Sequence, residues 1–167
     1  MKTNRSHIFK SERLGFRNWE SSDIEPMSEI NSDEKVMEFF SSTQTKEQTI
    51  EFIDRMQKQF AEKEYCYFAV DKLEDNVLIG FIGINLQTFE SDFTPCIDIG
   101  WRLKRSEWNK GYATEGANRC LEYASKVLGI KKVFSITPMV NLKSEKIMVN
   151  IGMKKVKHFI FPLLKDD

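Results

Sequence analysis

Residues Gly100 to Ala117 read GWRLKRSEWNKGYATEGA, and a chain carrying them must bring a strand end, a basic turn and a helix start to one point in space. Cys96 to Leu103 has the apolar weighting of a strand, and a long helix opens just after Gly111, to run to about Leu128 with Gly129 as its stop signal. Backbone N–H groups in the first turn of a helix lack partners within it and gather at the positive end of its dipole. With basic side chains around it, such a junction is the sequence form of an anion cradle. Lys104, Arg105, Lys110 and Arg119 supply charge, and Gly111 allows close approach with no Cβ in the way. The expected ligand carries phosphate.

The rest of the chain supplies layers around that junction. Arg13 to Trp19 alternates like a first strand, and Ser22 or Asp23 can cap a helix ending near Asn31. A second short helix is expected from Ser32-Asp33-Glu34, carrying Val36, Met37, Phe39 and Phe40. Thr45 and Gln48 have capping-box spacing, and Ile50, Ile53, Met56 and Phe60 follow as an apolar stripe of helical period. Tyr65 to Asp71 and Val77 to Ile84, joined through Glu74-Asp75-Asn76, read as a central hairpin. Lys132 to Thr137 is expected as a strand, Asn141 to Ile151 as a helix ended by Gly152, and Met153 to Phe161 as a last strand. The order β-α-α-α-β-β-β-α-β-α-β predicts a three-layer α/β/α fold on a mixed sheet.

A chain of 167 residues can bury a sizeable core as one domain, 1–167. Its 25 Lys and Arg balance 25 Asp and Glu, and that neutrality argues against nucleic acid as the partner. No apolar run approaches a membrane span, and Met1 to Arg5 leads into no signal-peptide core, so the expected location is the cytoplasm. Cys66, Cys96 and Cys120 stand far apart, as reduced thiols do; with only His7 and His158 besides, no metal site is expected.

Two nucleotide loops fail on specific residues. Gly111 and Gly116 have the glycine spacing of a Walker A loop, but Ala117-Asn118 stands where Lys-Ser/Thr is required; the dinucleotide fingerprint G-x-G-x-x-G is absent. The run Trp108-Asn109-Lys110-Gly111-Tyr112-Ala113-Thr114-Glu115 resembles instead the acyl-CoA signature of the GNAT superfamily of N-acetyltransferases. Trp108 departs from the general R/Q-x-x-G-x-G/A form but is typical of one branch, similar to ribosomal-protein N-terminal acetyltransferases (RimJ/RimL type). Glu12-Arg13-Leu14-x-Phe16-Arg17-x-Trp19, Val36-Met37-x-Phe39-Phe40, Gly80-Phe81-Ile82-Gly83 and Phe93 to Trp101 resemble further stretches of that branch. So does Asn141-x-x-Ser144-x-x-x-Met148-x-x-x-Gly152-Met153, and the likeness covers nearly the whole chain in the right order.

The resemblance implies a GNAT-like mixed, mostly antiparallel sheet, splayed beside the strand leading to the cradle, with the pantetheine of acetyl-CoA lying in the gap. Backbone groups of Trp101 and Leu103 would bond the pantetheine amides. N–H groups of Asn109, Lys110, Gly111, Tyr112 and Ala113 would hold the pyrophosphate; the plainer reading is an ordinary helix start. Asn141 matches a pantetheine-contacting Asn and can also be a helix N-cap, with Ser144 three residues on along the same face. Acetyl-CoA would be the co-substrate and the acceptor a small amine or a peptide or protein N-terminus; the protein would be a monomer or homodimer.

Acetyl transfer requires an amine that has lost its proton to attack the thioester, so a base is needed, and a backbone N–H near Leu103 can serve the oxyanion. Asp98 is the one acid of its strand, on the same face as Cys96 and Gly100, and is the base candidate; the other reading is a hydrogen-bonded strand carboxylate. Glu115 suits the helix dipole. Met148 stands where many members have a proton-donating Tyr, which leaves Ser144, water or no side-chain acid for the departing thiolate. The branch usually continues past Phe161-Pro162-Leu163-Leu164 into a final strand, often with His in place of Phe161; with the sequence ending at Asp167, that strand is expected to be missing. A non-catalytic acyl-CoA-binding module is the rival function, and an antibiotic-modifying enzyme a third, with Glu90, Asp92 and Asp98 as its acidic residues.

Overall fold

Val77 to Ile84 is almost wholly apolar, which suits a strand covered on both faces, and Leu78 to Ile84 are all buried. The computed structural model describes residues 6–138 and 140–154. Its elements are β1 (Phe9–Lys10), β2 (Leu14–Arg17), α1 (Ile24–Asn31), α2 (Lys46–Lys63), β3 (Tyr67–Lys72), β4 (Val77–Gln87), β5 (Cys96–Leu103), α3 (Tyr112–Lys126) and α4 (Leu142–Asn150). Single 3-10 turns at Ser21–Asp23 and Arg105–Glu107 precede α1 and α3. The five strands pair in sequence order and antiparallel throughout. The parallel component of the expected mixed sheet is one isolated bridge, Asp98 to Phe134.

Alternation along β4 sends its side chains into two helix layers. Phe81 meets Phe52 of α2 on one side, ring centroids 5.3 Å apart. Ile82 faces α3 on the other, where Gly116 lets the helix come close. Phe9, Phe16, Phe68 and Tyr123 join β1, β2 and β3 to α3 in one aromatic cluster. The α/β/α layering read from the sequence is the layering found.

Local signals explain most elements. The Thr45 hydroxyl accepts from Gln48 N–H and the Gln48 side chain accepts from Thr45 N–H, the reciprocal capping box expected at the start of α2. Thr49, Ile53 and Met56 form the buried stripe of that helix. Behind α1, the guanidinium of Arg17 is buried between Asp23 and Asp71, which joins β2, β3 and the entry to α1.

Three expectations are corrected. Residues 33–40 form turns rather than a second helix: Met37 N–H reaches Asp33 C=O, but Glu38 and Phe40 bond three residues back, so no α-helical ladder builds. Lys132 to Thr137 contributes only Phe134 to the sheet, because the chain leaves the β5 edge after that bridge. Of the last strand, Met153 and Lys154 are not extended in a sheet, and the remainder, with Phe161 to Leu164, lies outside the described residues.

Candidate active site

Hydrogen bonding fixes which way the backbone of β5 points. Ile99 N–H donates to Phe134 C=O (2.8 Å) and Phe134 N–H donates to Ile97 C=O (2.9 Å), so odd-numbered residues of β5 turn their backbone groups away from β4. Trp101 and Leu103 continue that series with no neighbouring strand among the described residues. Trp101 therefore presents N–H and C=O to an open edge. Leu103 presents only its N–H, since Trp108 Nε1 donates to its carbonyl at 2.9 Å.

Six residues after Leu103, the chain turns into α3 through two left-handed positions, Asn109 (φ 63°) and Gly111 (φ 81°). Alternating left- and right-handed residues point successive N–H groups into one concavity. Among the described residues none of the N–H groups from Asn109 to Ala113 has a backbone acceptor, and the first bond of the helix runs from Glu115 N–H to Gly111 C=O (3.0 Å). The open strand edge and the open helix start thus lie end to end along one stretch of chain.

The basic residues are unequal. Lys104 is exposed; Arg105 pairs with Asp33 (3.0 Å) and Lys110 with Glu107 (3.3 Å), both at the rim. Arg119 is a correction: its Nε donates to Lys10 C=O and its Nη1 pairs with Glu122, so it braces β1 against α3 instead of facing the cradle. Arg13 takes that place, with Nη1 donating to Lys110 C=O (2.9 Å), Nε to Glu115 (2.6 Å) and the guanidinium over the Tyr112 ring. Glu115 also accepts from Ser11 Oγ and Arg13 N–H. Burial works to raise the pKa of Glu115, but these donors outweigh it and hold the carboxyl below its ordinary range. No local sequence signal marks Arg13; its partners lie about a hundred residues away.

Asn141 is the N-cap of α4, its Oδ1 accepting from Ser144 N–H at 3.2 Å, so that half of the earlier alternative is observed. The helix start lies beside the cradle, with Lys143 Nζ 4.9 Å from the centre of the Trp108 ring. Met148 is one turn beyond Ser144, on the same helix.

On the face of the sheet towards α1 and α2, Asp98 is buried (5% exposed) and held by Tyr67 Oη (2.7 Å) and Gln87 Nε2 (3.2 Å). Burial pushes its pKa up to about 6, against the two donors that favour the ionised form. Burial and the neighbouring Asp98 together push the Tyr67 hydroxyl well above its ordinary value. Tyr67 and Gln87 were not anticipated. A signal existed in Gly100, where an added Cβ would crowd the Tyr67 ring, and in Gly83 opposite it, which lets the backbone of β3 come close.

Residues 13–154 match the family described as an acetyltransferase (GNAT) domain. An uncharacterized N-acetyltransferase of Bacillus subtilis (strain 168), YnaD, is 29% identical over 150 residues, covering 89% of this chain and 84% of the relative. The crystal structure of a GNAT-family acetyltransferase from Bacillus anthracis superposes with a TM-score of 0.76 at 28% identity, covering 90% of this chain and 85% of that one. Spermidine N-acetyltransferase from Vibrio cholerae, solved with CoA and spermine, shares the fold at 18% identity and a TM-score of 0.69, covering 89% and 85%.

Proposed function

The chain belongs to the GNAT acetyltransferase family and is an acyltransferase, and from that premise we propose that it carries the acetyl group of acetyl-CoA to a primary amine, of a small molecule or of a peptide N-terminus. One observation carries this reading. The unpaired backbone edge at Trp101 and Leu103 leads straight to the unpaired N–H groups of Asn109 to Ala113. An extended amide chain ending in a pyrophosphate fits both, the amides pairing like a strand and the anion meeting the helix start.

In this reading Trp101 offers its N–H and C=O to pantetheine, and Asn109, Lys110, Gly111, Tyr112 and Ala113 hold the pyrophosphate. Asn141 keeps its Nδ2 for the same ligand while its Oδ1 caps α4. When bound, acetyl-CoA supplies a thioester carbonyl for the amine and a thiolate leaving group. Leu103 N–H is the donor for the developing oxyanion. Asp98, with a pKa near neutrality for a carboxyl, takes the proton of the amine, with the Tyr67 hydroxyl keeping its carboxylate in place. Ser144 is the hydroxyl on α4 available to the leaving side, since the Met148 thioether has no proton to give.

Release of free CoA, followed with acetyl-CoA and a panel of amines and peptide N-termini, tests the reaction. Tight binding of acetyl-CoA without turnover of any acceptor would replace the enzyme by a binding module. Gly111→Asp tests the cradle: it puts a side chain at φ 81° and a negative charge among the N–H groups. Calorimetry should then find no acetyl-CoA binding, and unchanged affinity would remove the site.

A further inference from the structure

Arg102 lies on the same face of β5 as Asp98, with Gly100 between them. Four residues of strand span roughly 13 Å. The Tyr67 ring fills the space over Gly100, where an added Cβ would stand 3.1 Å from it. The strand face that begins at the candidate base therefore ends at a guanidinium.

That guanidinium is held firmly and left electrically unmatched. Nη1 donates to Asn31 Oδ1 (2.9 Å), and Asn31, fully buried, donates through Nδ2 to Thr49 Oγ1 (2.9 Å). Thr49 in turn donates to Thr45 C=O, so the chain of bonds ends at the cap of α2. The rings of Phe40 and Phe81 lie 4.5 and 5.1 Å from the guanidinium carbon. Among the described residues no carboxylate pairs with Arg102, and its Nε is buried with no partner. Asp33 is committed to Arg105, and Asp98 to Tyr67 and Gln87. Burial lowers the pKa of Arg102 to about 10.

A partly buried cation with an unpartnered Nε and no counter-charge costs stability unless something binds it. Fixing Nη1 on Asn31 leaves the Nε–Nη2 edge, the side of the fork that a carboxylate takes with two parallel hydrogen bonds. Phe40 is 51% exposed and sits in the run of turns at 33–40, so its ring can move off the guanidinium without breaking a helix.

The geometry points to an acceptor amine that also bears a carboxylate, the two separated by several methylenes as in an ω-amino acid, whose carboxylate docks on the Nε–Nη2 edge of Arg102 while its amine reaches towards the Asp98 end of the strand. This rests on the acetyl-transfer reading above and narrows it. A polycationic acceptor would instead meet an uncompensated positive charge on this face.

The test is CoA release with matched pairs: ω-amino acids against the same ω-amino acids as carboxamides, on the full chain. The acids should exceed their amides in kcat/KM by about ten- to hundredfold, the range of a charge-assisted hydrogen-bonded pair. Arg102→Gln should bring the ratio to within about twofold of one, while Arg102→Lys, which keeps the charge but loses the fork, restores only part of it. Should Arg102→Gln fail to fold, inhibition of the unaltered protein serves: des-amino carboxylates should compete with the amino acid and not with acetyl-CoA. Equal use of acids and amides, a preference that survives Arg102→Gln, or no such competition would overturn the assignment while leaving acetyl transfer standing. No turnover of any amine in the panel would overturn both.

Discussion

Asp98 shows how one residue links stability to chemistry. Its carboxyl has an ordinary pKa of 3.8 and is pushed up to about 6 in the fold, chiefly by burial. The folded state therefore keeps a proton that the unfolded chain has already lost between those two values. Stability should fall as pH rises through that window, by roughly 3 kcal/mol for a shift of about two units, and the whole cost is present above about pH 6. Urea denaturation of the unaltered protein and of Asp98→Asn at a series of pH values measures it. The variant should lose this decline between about pH 4 and 6, and an identical decline in both would mean that Asp98 ionises without penalty. If Asp98 is the base, kcat/KM for an acceptor should rise with an apparent pKa near 6. Asp98→Asn should then remove that limb and lower the rate by about 10²–10⁴-fold.

At the scale of elements, α3 depends on a residue that helices ordinarily avoid. Alanine is favoured over glycine inside a helix by about 1 kcal/mol, so propensity alone says Gly116→Ala should stabilise. Its Cβ would stand 2.3 Å from Ile82 Cδ1 and 3.4 Å from Leu14 Cδ1, and both partners are fully buried in the sheet. Overpacking of a closed site costs about 1–3 kcal/mol, so the net expectation is a loss of up to ~2 kcal/mol. For a domain of this size that is a melting temperature lower by up to about 8 °C; a higher one would show that α3 slides freely on the sheet. Elements set by local pattern were the legible ones: the α2 capping box, the β3–β4 hairpin and the Gly111 helix start follow from neighbouring residues. The two-residue β1 is too short for any period to show. The turns at 33–40 carry helix-like apolar residues, but Met37 is buried while Phe40 lies over Arg102, a tertiary demand that a local pattern does not contain.

Across the whole molecule, the candidate site was legible where its parts are consecutive and hidden where they are not. Trp101 to Ala113 is one run of sequence, so the open edge and the open helix start could be read together. The contributions of Arg13, Tyr67, Gln87 and Asn31 depend on β2, β3, β4 and α1 being brought alongside β5 and α3, and nothing near those residues announces it. The same distribution makes the ligand a structural element. Acetyl-CoA in the proposed pose would satisfy the free edge of β5 and the N–H groups before α3 at once, groups that the protein alone leaves unpaired among the described residues, and would extend to the start of α4. Binding to the folded state alone stabilises by RT ln(1 + [L]/Kd), about 2.7 kcal/mol at a hundredfold excess over Kd. The melting temperature should then rise by roughly 5–11 °C with acetyl-CoA, and the rise should be absent in Gly111→Asp. Hydrogen exchange should slow at Trp101, Leu103 and Asn109 to Ala113 in the same titration, since those N–H groups gain acceptors. A thermal shift without slowed exchange at these positions would place the cofactor elsewhere on the molecule.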